Sequence, residues 1–396
     1  MPLHVDPRVA ATAPPPVMEA RRWLADVTFP DDRPLLNLSQ AAPADPPPKS
    51  LRDAMARIVR DRPDAHLYGP VLGLPALRER VAADWSRDYG GVIHADQVAI
   101  TAGCNQAFTA IMATLAGPGD NVVLPLPYYF NHKMWCDMAG VESRLLPPGA
   151  DLLPDPDVAA KAIDDRTRAI VLVSPNNPAG VEYPPTLLAA FRDLCRWRNI
   201  ALIVDETYRD FHSAAGAPHD LFADPDWDGV LIQLYSFSKA FRLTGHRTGA
   251  IVAAPARLAE VEKWLDTVTI CPAQLGQHAA LWGMENLGEW LAGERRATLD
   301  RLAAVRTGFA AMPGWRLEGS GAYFAYARHP FDREASDDLC RRLVRDAGVL
   351  LLPGTMFGPT RAHGGDGFAE ATVRIAFANA DLDGIATLFD RLRTPL

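Results

Sequence analysis

The chain has 396 residues, 48% hydrophobic and 22% charged, an ordinary globular composition on a length that one core does not usually serve, so two domains are expected. Its formal charge of −8 excludes a general attraction to nucleic acid or to an anionic membrane surface. Five cysteines (Cys104, Cys136, Cys195, Cys271 and Cys340) form no CxxC pair and keep no regular spacing, so neither a disulfide framework nor a metal centre is expected, and the setting reads as reducing and cytoplasmic.

The opening "MPLHVDPRVAATAPPPVM" lacks the continuous apolar run of a signal peptide, and nothing later approaches the roughly 18 apolar residues of a membrane span. Residues 1–18 are rich in Pro and Ala and are expected to form a flexible arm, followed by an N-terminal segment, 19–45, packing with the C-terminal domain. The prolines of "AAPADPPPKS" (41–50) exclude a helix interior or central strand there. Helical periodicity follows at 50–61 and 74–88, separated by the glycine-marked "YGPVLGLP".

From there short buried runs alternate with helices. "VAIT" (98–101), "NVVLPLP" (121–127), "RAIVLVSP" (168–175), "IALIVDE" (200–206), "VLIQLYS" (230–236) and "TGAIVAA" (248–254) read as strands. Helical patterns at 105–116 and 184–198 lie between them. Continuous apolar runs separated by helices predict an α/β domain with a mostly parallel sheet covered on both faces, placed at 46–285. Long helical patterns at 257–267, 273–282 and 287–312 come next. Two strands, "GAYFAYA" (321–327) and "VRIAFA" (373–378), then enclose a helix at 334–347, which predicts a smaller α+β domain over 286–396.

Ligands of open parallel sheets bind beyond the carboxyl ends of the strands, so the residues at those ends carry the chemistry. "TAGCNQ" places Gly103 before a helix starting near Asn105, a turn that aims backbone amides at an anion. "LPYYFNH" supplies Tyr128, Tyr129 and His132, which could stack on a planar ligand, and "SPNNPAG" supplies Asn176 and Asn177. "VDETYRDF" brings Asp205, Glu206 and Tyr208; an acid after four apolar residues sits at the rim of the sheet and wants a cationic partner. "LYSFSKAFRLTGHRTG" (234–249) sets Lys239 among Ser236, Ser238 and Arg247, groups suited to phosphate. Taken alone each of these is an ordinary turn, packing aromatic or surface lysine. Together they are what pyridoxal phosphate requires: a lysine for its aldehyde, an acid for its pyridine nitrogen and an anion cradle for its phosphate.

The chain resembles the class I/II aminotransferases of fold-type I, which depend on pyridoxal phosphate, over about residues 30 to 380. The most specific match is "SFSKAFRLTGHRTG" to the pattern SxSKxFxxxGxRxG. The resemblance implies a seven-stranded sheet in the large domain and Lys239 as Schiff-base lysine and proton shuttle. It implies Ser236, Ser238 and Arg247, with the amides of Gly103, Cys104 and Asn105, around the phosphate. Asp205 would pair with the pyridine nitrogen, and Tyr208 and Asn177 would reach the ring O3′. Tyr129 would stack on the ring, or Tyr128 if the alignment slips by one. Arg374 in "VRIAFA" would clamp the substrate carboxylate, and Tyr68 in "YGPVLGLPALRE" would reach the phosphate of a neighbouring subunit, which implies a homodimer with shared active sites. The implied reaction moves the amino group of an L-amino acid to a 2-oxo acid. Elimination of a β or γ substituent, decarboxylation and oxidative deamination are alternatives on the same residues.

Departures from the family pattern also carry information. Ala41 and Ala42 in "LNLSQAAP" stand where a glycine usually lies against substrate, and His246 replaces a bulky residue, commonly tryptophan. "DTVTICPA" contains no arginine of the kind that dicarboxylate-specific members borrow from the partner, so an aspartate or glutamate specialist is disfavoured unless the fold brings in Arg242 or Arg361. A nucleotide-binding reading finds no GxxxxGK[ST] run, and a regulator reading finds no basic N-terminal helix-turn-helix.

Overall fold

The computed structural model describes residues 3–43 and 45–393; the first two residues of the expected arm, Ala44 in the proline-rich loop and the last three residues of the expected small domain lie outside them. The N-terminal stretch differs from the irregular arm expected. It carries a helix at Pro7–Ala11 and another at Pro16–Arg22. Both start with proline in the first turn, where a missing N–H costs nothing, and the Asp6 carboxylate caps the first by accepting from the Arg8 amide at 2.8 Å.

Strand β1 (Leu36–Asn37) pairs in parallel with Val349–Leu350, more than three hundred residues away in sequence. The large sheet follows: β2 (Val98–Thr101), β3 (Asn121–Pro125), β4 (Glu142–Leu146), β5 (Thr167–Val173), β6 (Ala201–Asp205), β7 (Leu231–Ser236) and β8 (Gly249–Val252). Their order across the sheet is β2-β8-β7-β6-β5-β3-β4. All run in one direction except β8, which is antiparallel to both β2 and β7. Edge strand β4 escapes the sequence pattern because only Leu146 of its five residues is fully buried.

The direction of β8 has a local cause. Only twelve residues separate Ser236 from Gly249, too few for the helical crossover that a parallel neighbour needs, so the chain turns back and Ser236 pairs with Gly249. The loop that holds Lys239 therefore leaves and re-enters the sheet at one place. Because the remaining strands are parallel, Thr101, Pro125, Val173, Asp205 and Ser236 all end on that same edge.

After the helices Pro255–Thr269, Gln274–Asn286 and Gly288–Ala310 comes a four-stranded antiparallel sheet, formed by β9 (Arg316–Gly321), β10 (Phe324–Arg328), β12 (Leu352–Pro353) and β13 (Thr372–Ala376); β11 (Val349–Leu350) is the partner of β1. The strand expected at 321–327 is broken at its start: Ala322, with φ of 44°, turns the chain between β9 and β10. The helix expected over 334–347 is shorter as an α-helix, Ser336–Arg342, and ends in a π-helical turn, Leu343–Ala347. Leu38, just after β1, is fully buried with Val305, Leu339 and Phe377 and bonds through its amide to Leu350, so the N-terminal segment shares the core of the C-terminal sheet. Leu38→Ala is expected to cost about 2–5 kcal/mol. A urea melt followed by circular dichroism checks it, and a loss below about 1 kcal/mol would mean that this core tolerates removal of the N-terminal contact.

Candidate active site

Two joined cavities open at the common edge of the strands. The inner one, about 110 Å³, is lined by Cys104, Asn105, Tyr129, Asn177, Asp205, Tyr208, Ser236, Ser238, Lys239 and Arg247 along with Val173 and Thr207. The outer one, about 400 Å³, shares several of these and adds Ala41, Ala42 and Arg374. The strand ends singled out in the sequence thus meet in one place. A larger groove of about 870 Å³ lies at the opposite ends of the strands, but its Arg168 and Arg196 are paired with Asp120 and Asp224 and it contains no lysine.

The anion end of the inner cavity depends on the return of β8. Gly103 has φ of +87°, a conformation costly for any side chain, and a Cβ there would overlap the Arg247 guanidinium. Gly249 is equally constrained, since its Cβ would lie 2.7 Å from the Gly103 carbonyl carbon and 2.8 Å from the Cys104 nitrogen. Gly103 itself lines neither cavity; its bareness lets Arg247 in beside the helix that begins at Cys104. Arg247 Nη1 donates to Ser238 Oγ at 3.2 Å and to the Thr244 carbonyl at 3.1 Å. The Ser236 hydroxyl accepts from the Ser238 amide at 3.3 Å and caps the short helix Phe237–Ala240 that presents Lys239.

Lys239 is half-buried in the cleft, and its Nζ donates to the Ala41 carbonyl at 2.5 Å. Burial, with Arg247 and Arg374 nearby, pulls its pKa from 10.5 down to about 8, so far more of it is the free amine at neutral pH than for an exposed lysine. Asp205 faces it from the end of β6. Burial pushes this carboxyl upward, but the side chain of His132, 3.4 Å away, and the groups of Thr207, whose amide donates at 3.0 Å, outweigh that and hold it below its usual value. His132, one of the aromatic residues of "LPYYFNH", is stacked against Phe108 with centroids 3.9 Å apart and steadies the acid.

Tyr129 lines both cavities, whereas Tyr128 packs outside them, its amide donating to the Phe357 carbonyl at 3.0 Å. Burial raises the Tyr208 pKa, with the neighbouring Tyr129 adding to it, so Tyr208 remains a hydroxyl donor. Burial likewise keeps Cys104 a thiol. Glu206 points the other way, as alternation along a strand requires. Tyr89 donates to it at 2.8 Å, His219 lies 3.2 Å away and Gln233 also donates to it. Two residues past Tyr208, Asp210 accepts from Tyr235 at 2.6 Å. These buried bonds fasten the segment bearing Asp205 and Tyr208 to the sheet from behind. The sequence showed the residue types without showing that they meet, because their partners come from distant helices and strands.

Arg374 is the most unusual group. It is fully enclosed and bonds only to neutral acceptors, Asn177 Oδ1 at 2.9 Å and the Ser39 carbonyl, and its Nε has no partner among the described residues. Burial pulls its pKa down to about 10. The cleft therefore holds Lys239, Arg247 and Arg374 against one carboxylate, Asp205. A buried cation such as Arg374 is costly without a counter-anion, so this excess of positive charge suits the cleft to anionic ligands.

Other expected residues lie elsewhere. Tyr68 is 80% exposed and lines neither cavity. His246 is half-buried and also outside both, its carbonyl lying 2.7 Å from where a Cβ on Gly276 would sit. Arg242 is tied to Glu294 at 2.7 Å and Asp45 at 3.2 Å, and Arg361 to Glu370 at 3.0 Å, so neither is a free cation of the site.

Residues 33–392 match the family model described as aminotransferase class I and II. The valine–pyruvate aminotransferase of Mycobacterium tuberculosis is 31% identical over 371 residues, covering 88% of each chain. The aromatic aminotransferase ISS1 of Arabidopsis thaliana is 28% identical, covering 89% of this chain and 88% of its own. Among solved structures, the aspartate aminotransferase of Thermus thermophilus with maleate superposes with a TM-score of 0.88 over 98% of this chain and 99% of that one, at 23% identity, a likeness of fold. The chain belongs to the class I and II aminotransferases of fold-type I, and its activity is amino-group transfer through a lysine-bound pyridoxal-phosphate cofactor.

Proposed function

We propose that the enzyme takes the amino group of an L-amino acid and passes it to a 2-oxo acid, with Lys239 as the reacting base and pyridoxal phosphate held in the inner cavity. The observation that carries this is the excess of cations lining the cleft over Asp205, with Arg374 fully buried, which asks for two anions: a phosphate near Arg247 and a carboxylate at Arg374. The donor set fits the cofactor. Amides at the start of the helix Cys104–Leu115, the Ser236 and Ser238 hydroxyls and Arg247 make the phosphate cradle, and the overlap of a Gly103 Cβ with Arg247 explains why a bare backbone is needed there.

When bound, the cofactor supplies an electron-withdrawing ring that stabilises negative charge at the substrate Cα. The residues of this chain do the remainder. Asp205, kept ionised by His132, holds the pyridine nitrogen in its protonated form. Asn177 accepts from Arg374 through Oδ1, which leaves its Nδ2 to donate, alongside Tyr208, to the ring oxygen. Tyr129, which lines both cavities, would cover the ring face. Arg374 would orient the substrate through its carboxylate, and Lys239, as free amine, would take the Cα proton and deliver it to the cofactor carbon on the other side of the amino nitrogen.

We also propose a homodimer. Leu67, Tyr68, Val268 and Ile270 are exposed apolar side chains on two adjoining segments, joined where the Gly69 amide meets Cys271 Sγ at 3.4 Å. A second copy docked there would cover them and carry Tyr68 toward the neighbouring phosphate cradle. The five unpaired thiols favour the cytoplasm as its setting.

Lys239→Ala is expected to abolish the visible absorbance of the lysine-bound cofactor, and an unchanged spectrum would overturn the assignment. In the apoprotein, covalent capture of added pyridoxal phosphate, trapped with borohydride, should rise with pH around a midpoint of about 8 as Lys239 loses its proton. A midpoint near the ordinary 10.5 would show that burial does not tune it. Gly103→Ala should weaken cofactor affinity by roughly tenfold or more in an equilibrium dialysis measurement, the equivalent of about 1.4 kcal/mol. With a panel of amino acids, formation of pyridoxamine phosphate and a 2-oxo acid is the expected result; ammonia release with return of the starting spectrum would indicate elimination instead.

A further inference from the structure

We infer that the substrate side-chain subsite selects neutral donors, with Gln40 as the specificity-determining residue and Arg21 as the group that positions it. The inference rests on the amino-transfer reading above and names the substrate class of the same site.

The outer cavity continues past Lys239 and Arg374 toward a wall made by Pro15, Pro16 and Val17, the segment that the sequence suggested would be a flexible arm. Ala42 and Phe130 add apolar surface, and Gln40 and Asn131 supply the polar groups. The cations in the lining are Lys239, Arg247 and Arg374, each already assigned to the reaction, the phosphate or the α-carboxylate.

The orientation of the Gln40 amide follows from its partner. Arg21 Nη2 donates to Gln40 Oε1 at 2.7 Å. A guanidinium has no acceptor, so the carbonyl end must face Arg21, and the Gln40 NH₂ is the end left to donate into the cavity. Asn131 is fixed the opposite way: its Nδ2 donates to Tyr129 Oη at 2.9 Å, leaving its oxygen as an acceptor. One subunit thus gives the subsite apolar surface and neutral donors and acceptors, and no cation beyond the three already assigned. An aliphatic side chain, or an amide that matches both groups, gives up little on entering. The second carboxylate of aspartate or glutamate would lose its water for neutral donors alone, with the Asn131 carbonyl oxygen opposing it. Arg21 does not answer that need while it is engaged with Gln40.

The test uses the holoenzyme. Single-turnover rates of conversion to the pyridoxamine form should give leucine and glutamine kcat/KM values about 10- to 100-fold above aspartate and glutamate. Two unreactive acids lacking the α-amino group, 4-methylpentanoate and succinate, titrated against the visible spectrum, should differ in Kd in the same direction. Gln40→Arg should narrow or reverse the ratio. Arg21→Ala frees the Gln40 amide to turn, so KM for glutamine should rise with kcat little changed, and Arg21→Lys should restore it in part. Aspartate or glutamate as the preferred donor would overturn the inference. So would an aspartate activity that vanishes in Arg21→Ala, because Arg21 would then be the substrate's own clamp. If no amino acid converts the holoenzyme, the amino-transfer reading fails, and the two acid affinities still decide the character of the subsite.

Discussion

Charge balance in the cleft is the constraint on which the site depends. Lys239, Arg247 and Arg374 are brought to a cavity whose one carboxylate, Asp205, is already partnered by His132. Burial makes Lys239 and Arg374 both hold their protons less tightly than usual, and repulsion from Arg247 and Arg374 adds to it at Lys239. The fold tolerates the arrangement because the rest of the structure is built to hold those groups in place. An anionic ligand offsets the cost of burying Arg374, so the burial of that cation and the affinity for an anion are two sides of one interaction.

Holding them in place falls largely to the sheet. The short return from β7 to β8 sets both ends of the Lys239 loop side by side, and two glycines, Gly103 and Gly249, let adjoining backbones come close enough for Arg247 to enter. Behind the acid, the buried bonds of Glu206 with Tyr89 and Gln233, and the close approach of His219, occupy the opposite face of the same strand end. Asp205 and Glu206 are neighbours in sequence with opposite duties, one toward the ligand and one toward the scaffold, because side chains alternate along a strand. The other half of the cleft comes from far away in sequence: Arg374 from β13, Ser39 and Ala41 from the segment after β1. The pairing of β1 with β11 beside that sheet keeps these pieces together.

Much of the fold was legible before the structure. The apolar runs at 98–101, 168–175 and 230–236 fall on β2, β5 and β7 to within a residue or two, because strands buried on both faces are continuous in hydrophobicity. Half-exposed β4 left no such signal, and the N-terminal prolines, read as signs of a flexible arm, in fact begin helices. The site residues at the ends of successive strands were legible for a related reason: parallel strands share a ligand-binding edge whatever their order. His132 and Gln40 were not assigned their present parts, since what each does depends on a partner, Asp205 or Arg21, that periodicity cannot place.

The sequence by itself determined the chemistry available: a lysine among hydroxyls and an arginine, an acid at a strand end, a glycine turn opening a helix, and an arginine in a late apolar strand. These are local features, fixed by residue type and by the periodicity of the element that carries them. Only the tertiary structure decided the state of those groups. Burial lowers the Lys239 pKa, His132 keeps Asp205 ionised, and Arg21 turns the Gln40 amide toward the cavity. Those outcomes depend on solvent exclusion and on contacts between residues far apart in the chain, and neither quantity exists until the chain has folded.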